Sequence, residues 1–158
     1  MNQAEQLISI AQSLVDEWPN FFGLKGAGAG DHDTNAFMRE LRSRALMTFG
    51  SDCAEKRICG DNKLAVDYYF PEEATVVEVA MSLRNPSSEF ERDILKVIMA
   101  QEVGHTVRQL IFLSKPGAIA RCSQPSFRAF ADWAERAHGI SIQEFTPLAE
   151  QILDAPAI

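Results

Sequence analysis

Asp67 and Glu78 are the residues of this sequence whose type and spacing best suit chemistry. Each lies in a segment where apolar and polar residues alternate, and a Pro-Glu-Glu-Ala turn separates the two segments. This pattern predicts a β-hairpin of residues 64–70 and 75–83. The register that buries both apolar faces together sets Tyr68 opposite Val77 and Asp67 opposite Glu78, with Cβ atoms about 4.5–5.5 Å apart. Paired carboxylates suit Mg²⁺ or Mn²⁺, which polarises a phosphate and activates water.

Opposed like charges weaken a sheet, so this carboxylate pair requires compensation. Three forms are open: a bound metal, a shared proton or a basic partner. The pair also has purely structural interpretations. One is a salt bridge to an arginine such as Arg57, and the other is two exposed acids on a solvated sheet face. Spacing alone does not decide among them.

The remaining pattern predicts an α/β fold of one domain, residues 1–158, in which helices flank a mixed sheet. The core spans about residues 34–114, preceded by an N-terminal helix at 2–18 and followed by a C-terminal extension at 125–153. A glycine-rich loop at 23–33 precedes a helix capped by Thr34 or Asn35, and Ser88 with Glu91 forms a capping box for a later helix. The other predicted elements are a helix to about 48, a strand at 57–59, a helix to about 102, a strand at 109–114, a helix from 125 to 139, a strand at 140–145 and a helical turn from 146.

This order resembles the PD-(D/E)XK, or restriction-endonuclease-like, superfamily, whose core is an α-β-β-β-α-β unit. Asp67 matches the acid of the second strand, and Glu78-Val79-Ala80 takes the place of the acid-x-lysine motif on the third. The resemblance implies a Mg²⁺- or Mn²⁺-dependent nuclease acting on DNA, with Asp67 and Glu78 catalytic. It also implies metal ligation by both acids, by the main-chain carbonyl of Val79 and by Glu40, an acid that some members contribute from the preceding helix.

The sequence departs from the superfamily pattern at two positions. Ala80 replaces the motif lysine, which orients the attacking water, and Val66 replaces the usual proline. Lys96 is interpreted as a poor substitute, because a helical wheel groups it with Glu89 and Arg92, away from the apolar arc. Two hypotheses follow: a metal-dependent deoxyribonuclease, or a catalytically inactive member of the fold that serves as a binding or regulatory module.

Composition limits the partners of the chain. A net charge of −7 and a pI near 4.9 oppose nonspecific attraction to phosphate backbones. The basic residues are nevertheless concentrated between Arg39 and Lys63, which leaves room for a local positive surface, although solvated helix faces are the commoner explanation.

The sequence contains no membrane span or secretory signal, so a cytoplasmic location is expected. Three scattered cysteines, Cys53, Cys59 and Cys122, are interpreted as reduced thiols, with a thiol or zinc function as a weaker alternative. The sequence leaves the oligomeric state open.

Overall fold

A computed structural model describes residues 1–18, 29–80, 86–114 and 125–145 of the chain. These ranges contain four helices and five strands, and one short 3₁₀ turn, Pro71–Glu73, joins two of the strands. In chain order they are α1 (Gln3–Glu17), α2 (Ala29–Phe49), β1 (Ala54–Lys56), β2 (Val66–Phe70), β3 (Thr75–Ala80), α3 (Pro86–Glu102), β4 (Gln109–Ser114), α4 (Pro125–His138) and β5 (Ser141–Phe145).

The strands form one mixed sheet in the order β1-β2-β3-β4-β5. β1, β2 and β3 are antiparallel neighbours, whereas β4 and β5 run parallel to β3. A parallel neighbour requires a crossover, and α3 and α4 supply the two that are needed. The predicted α/β architecture with a mixed sheet flanked by helices is therefore confirmed.

The two faces of the sheet bury separate apolar clusters. α1 and α2 cover one face, where Phe37 and Leu41 pack with Tyr68 and Phe70. α3 covers the other face, with α4 beside it, and there the side chains of Phe90 and Phe112 meet edge-on with ring centroids 4.4 Å apart. The hairpin thus lies between two helical layers, and its side chains are divided between them.

The N-terminus of α1 is fixed to the hairpin turn. Asn2 and Glu5 form a reciprocal capping box. The Glu73 carboxylate also accepts hydrogen bonds from the main-chain N–H groups of Gln3 and Ala4, which places a negative charge at the positive end of the helix dipole. The tertiary contact and the local cap therefore satisfy different donors of the same helix end.

Three predicted boundaries were wrong. β1 lies at Ala54–Lys56, three residues before the predicted strand at 57–59, because Ala54 and Lys56 pair with Tyr68 and Val66. α2 begins at Ala29 rather than after a cap at Thr34 or Asn35, and α3 begins at Pro86 rather than after Ser88. In both helices the chain is already helical at the expected caps, and proline fits a first helical turn. Predicted structure at residues 81–83 and from 146 onward lies outside the described residues.

None of the described helices is sufficiently long and apolar to cross a membrane.

Candidate functional site

The hairpin register is the one that the sequence predicts, up to the position of the acid pair. Tyr68 pairs with Val77, and Phe70 with Thr75. The paired positions end at Tyr68 and Val77, and at the next position, where the predicted register sets Asp67 opposite Glu78, a side chain bonds to the main chain of the neighbouring strand. The Asp67 Oδ2 atom accepts a hydrogen bond of 2.7 Å from the main-chain N–H of Val79. Asp67 is therefore fixed to the backbone next to Glu78.

Side-chain alternation along β2 breaks at Asp67. Tyr68 and Phe70 pack with α1 and α2, but Val66 belongs to the cluster under α3, and Leu64 packs against that same cluster. Regular alternation along residues 64–70 predicts one shared face for Leu64, Val66, Tyr68 and Phe70, and this expectation is wrong for the first half of the segment. Asp67 lies between Val66, which packs in the cluster under α3, and Tyr68, which packs in the cluster under α1 and α2.

Glu78 is a buried acid with a basic partner. Its exposed fraction is only 3%, because β3 is a central strand and Val76 and Ala80, which flank Glu78 on the same face, belong to the cluster under α3. Its Oε1 atom forms an ion pair with Lys96 Nζ at 2.7 Å, and this oxygen has no hydrogen-bond partner among the described residues. The interpretation of the pair as two exposed acids is wrong for Glu78, and the partner is Lys96 rather than Arg57.

Lys96 is held at three points. Besides Glu78, its Nζ atom contacts Asp93 Oδ1 at 2.9 Å, one helical turn earlier, and donates a hydrogen bond of 2.9 Å to the main-chain carbonyl of Ala65, just before β2. The ammonium group therefore joins α3 to both strands of the hairpin. We call Asp67, Glu78, Asp93 and Lys96 the acid–lysine cluster.

The interpretation of Lys96 as a poor substitute because of its helical face was wrong. Only 6% of Lys96 is exposed. Lys96 lies three residues after Asp93 and four before Ala100, both of which are buried, so it is at the margin of the packed face rather than opposite it. Its four-carbon stem then carries the charge inward to the sheet.

Burial raises the pKa of Glu78 well above its ordinary value, and the charges of Asp67 and Asp93 raise it further, whereas Lys96 opposes the shift. Burial also raises the pKa of Asp93. For Lys96 burial acts in the other direction, but the charges of Glu78 and Asp93 outweigh it and raise its pKa. The cluster thus keeps a cation firmly charged beside acids that resist ionisation.

Asp67 also lines a cleft on the opposite side of β2. The cleft has a volume of about 420 Å³ and lies between α2 and the strands β1 and β2. Its other lining residues are Asn35, Met38, Arg39, Arg42, Ala54, Glu55 and Tyr68. Asp67 therefore belongs to both the cleft and the acid–lysine cluster.

The predicted ligand Glu40 lies elsewhere on α2. It is exposed, does not line the cleft, and accepts a hydrogen bond of 2.9 Å from Arg44, which also pairs with Glu17 of α1. Across residues 1–18, 29–80, 86–114 and 125–145, no group of three or more His, Cys, Asp or Glu side chains is arranged to hold a metal ion. Metal ligation by Asp67, Glu78, Val79 and Glu40 thus stays a prediction.

The cysteines show no paired arrangement in the described part of the chain. Cys53 and Cys59 are free thiols, and Cys122 lies outside the described residues. Cys59 is buried, and this burial raises the pKa of its thiol. A raised pKa disfavours the thiolate that nucleophilic or metal-binding cysteines require.

Asp93 is the member of the cluster that the sequence reasoning missed entirely. Its signal was present as an acid three residues before a lysine on one helix, a spacing that brings the two side chains together. What the sequence did not reveal is that both residues face the sheet.

Comparison of the chain with protein-family models, with curated protein sequences and with solved structures gives no match.

Proposed function

We propose that this chain is a Mg²⁺- or Mn²⁺-dependent phosphodiesterase of restriction-endonuclease-like fold that acts on DNA. The observation that carries the proposal is the contact of Lys96 with Glu78. The strand position expected to hold lysine is Ala80, and a lysine from the following helix brings its ammonium group to the same carboxylate. The site therefore contains a lysine beside one of its two acids, although Ala80 stands at the motif position.

The order of elements supports the same proposal. From α2 to β4 the chain follows the order helix, three antiparallel strands, crossover helix and parallel strand. Asp67 lies on the second of these strands and Glu78 on the third, which are the two strands that carry the acids in the superfamily it resembles. This agreement concerns both the element order and the position of each acid within it.

The donor set suits a hard divalent cation. Mg²⁺ is commonly bound through one or two carboxylates and keeps several water ligands, so it does not need a protein group of three acids. Asp67 and Glu78, with the Val79 carbonyl, would hold it. When bound, such an ion polarises a phosphate oxygen and lowers the pKa of a coordinated water.

The protein groups have distinct roles in this proposal. The Val79 N–H orients Asp67, and Lys96 orients Glu78 and keeps part of its charge balanced before a cation arrives. Asp93 positions Lys96 from one turn along α3. Lys96 thus acts through Glu78 and is a positioning residue.

A second candidate function, a catalytically inactive binding or regulatory module, is favoured by a different observation. The Lys96 ammonium group lies 2.7 Å from Glu78 Oε1 and 2.9 Å from Asp93 Oδ1, and it donates a hydrogen bond to the Ala65 carbonyl. Lys96 thus supplies the buried acids with a basic partner that is not a metal.

Metal binding and cleavage separate the two candidates. We expect Mn²⁺ titration by calorimetry to give a saturable site that Glu78→Gln weakens and Glu72→Gln does not, because Glu72 is an exposed acid of the same hairpin. Cleavage of single- or double-stranded DNA with Mg²⁺ should fall with Glu78→Gln in parallel. Equal Mn²⁺ affinity in both variants would exclude the proposed site, and absence of both binding and cleavage in the unaltered protein would favour the inactive module.

A further inference from the structure

The cleft beside Asp67 contains a buried polar group without a partner. Tyr68 is 1% exposed and lines the cleft, yet its hydroxyl has no hydrogen-bond partner among the described residues. Burial, with the negative charge of Asp67, raises the pKa of this hydroxyl, and Arg42 opposes the shift. A buried hydroxyl without a partner costs about 1–3 kcal/mol, so a ligand that brings an acceptor oxygen to this hydroxyl recovers that cost.

The two arginines of the cleft differ in their availability. Arg42 is engaged by Asp52 and Glu55, the latter at 2.7 Å. Arg39 is exposed and has no ion pair or hydrogen bond with another residue in the described part of the chain. Arg39 is therefore the cation that faces the cleft without an internal counter-charge, and Asn35, also exposed, adds an amide from one turn earlier on α2.

The dimensions and position of the cleft also fit a ligand. Its volume of about 420 Å³ falls within the range of small-molecule sites, about 300–1,000 Å³. Its wall includes Asp67, one of the two acids assigned to the metal, so a molecule bound there reaches the acid–lysine cluster through that side chain.

We propose that this cleft binds a phosphate group of a single DNA strand, with Arg39 and Asn35 donating at its mouth and the Tyr68 hydroxyl donating at its inner end. The proposal rests on the proposed function for the identity of the strand, because a phosphate held there lies beside the metal-binding acid. Arginine suits this role because its planar guanidinium can donate two parallel hydrogen bonds to one phosphate.

Binding of a fluorescein-labelled single-stranded oligonucleotide, followed by anisotropy in EDTA and again in Ca²⁺, tests the proposal. We expect Arg39→Gln to weaken binding roughly ten- to hundredfold, as for loss of a charged hydrogen bond. The slope of log affinity against log salt should fall by about 0.7, the value for one lost contact to a single strand. The matched control is Arg128→Gln, an exposed arginine on α4, on the other side of the sheet.

Tyr68→Phe supplies a second test that does not depend on the arginine. In the absence of DNA it should leave the melting temperature equal or raise it, because the hydroxyl that it removes has no partner. With DNA it should weaken binding. Tyr69→Phe is the matched control, since the Tyr69 hydroxyl donates to the Thr106 carbonyl at 3.1 Å, and this change should lower the melting temperature without altering DNA affinity.

The outcomes separate this proposal from the proposed function. An effect of Arg39→Gln on binding, in a protein that does not cleave DNA with Mg²⁺, would support the cleft and exclude the phosphodiesterase. Cleavage with the same KM in Arg39→Gln and Arg128→Gln would support the phosphodiesterase and exclude the cleft. Failure of the unaltered protein to bind the oligonucleotide would also overturn the cleft proposal.

Discussion

Replacing Lys96 by methionine removes the only cation that contacts the two buried acids Glu78 and Asp93 among the described residues. Methionine keeps the unbranched shape of the stem, so the change mainly deletes charge and hydrogen bonds. Removing one partner of a buried ion pair costs about 3–5 kcal/mol, because it leaves the other charge buried and unpaired. The near-complete burial of Lys96 and Glu78 places this pair in that class rather than among surface pairs, which contribute about 0–1 kcal/mol.

The loss is large relative to the stability of an ordinary domain, about 5–15 kcal/mol. At about 2–4 °C per kcal/mol for a domain of this size, the melting temperature should fall by roughly 6–20 °C. Urea unfolding followed by circular dichroism at pH 7 measures the free-energy change directly. The matched control is Lys63→Met, because Lys63 is exposed on the segment before β2.

The pH dependence of the same variant provides a stricter criterion. Without Lys96 the pKa of Glu78 and of Asp93 should rise further, since Lys96 is the group that lowers both. As the pH falls, these acids gain protons in the folded state before the unfolded chain does, so the deficit relative to the unaltered protein should shrink with falling pH. A deficit equal to that of Lys63→Met, or one that does not change with pH, would refute the assignment of a buried, charged cluster.

Two further predictions concern the unaltered protein and α3. The pKa of Glu78 is higher in the folded state than in the unfolded chain, so the folded state binds more protons between those two values. The contribution of Glu78 to stability should therefore decrease as the pH rises from about 4.5 through that window. Urea unfolding at a series of pH values measures this decrease, and saturating Mn²⁺ should make the stability less dependent on pH if the metal site exists. Gln101→Leu should lower the free energy of unfolding by about 1–3 kcal/mol, because the Gln101 amide donates to the carbonyls of Val107 and His138 at 2.7 and 3.1 Å; a change below about 0.5 kcal/mol would mean that water replaces these bonds without cost.

The hairpin was predictable because two local constraints agreed. The apolar faces and the four-residue turn each define the register, and Tyr68 pairs with Val77 as expected. Gln101 is a simpler case, because a polar side chain beside the apolar face of a helix is expected to satisfy buried main-chain groups, and its amide donates to two carbonyls.

The parts that failed depend on contacts distant in the sequence. Side-chain alternation along β2 breaks at Asp67, where two hydrogen bonds come from other elements. Asp67 accepts one from the main-chain N–H of Val79, and the neighbouring Ala65 carbonyl accepts one from Lys96. A helical wheel describes a helix alone and does not reveal that a lysine at the margin of the packed face meets acids on the sheet. The early position of β1 likewise reflects pairing with β2 rather than any local preference.

The position of Asp67 between the two helical layers has a thermodynamic consequence. Because its charge contributes to the pKa of Glu78 and of Asp93, a cation placed against Asp67 weakens that repulsion and makes both acids easier to ionise. Linkage is reciprocal, so proton release from Glu78 must increase the affinity of Asp67 for that cation by the same factor. Proton occupancy of the buried acids and cation occupancy at Asp67 are therefore not independent, and no conformational change is needed to couple them.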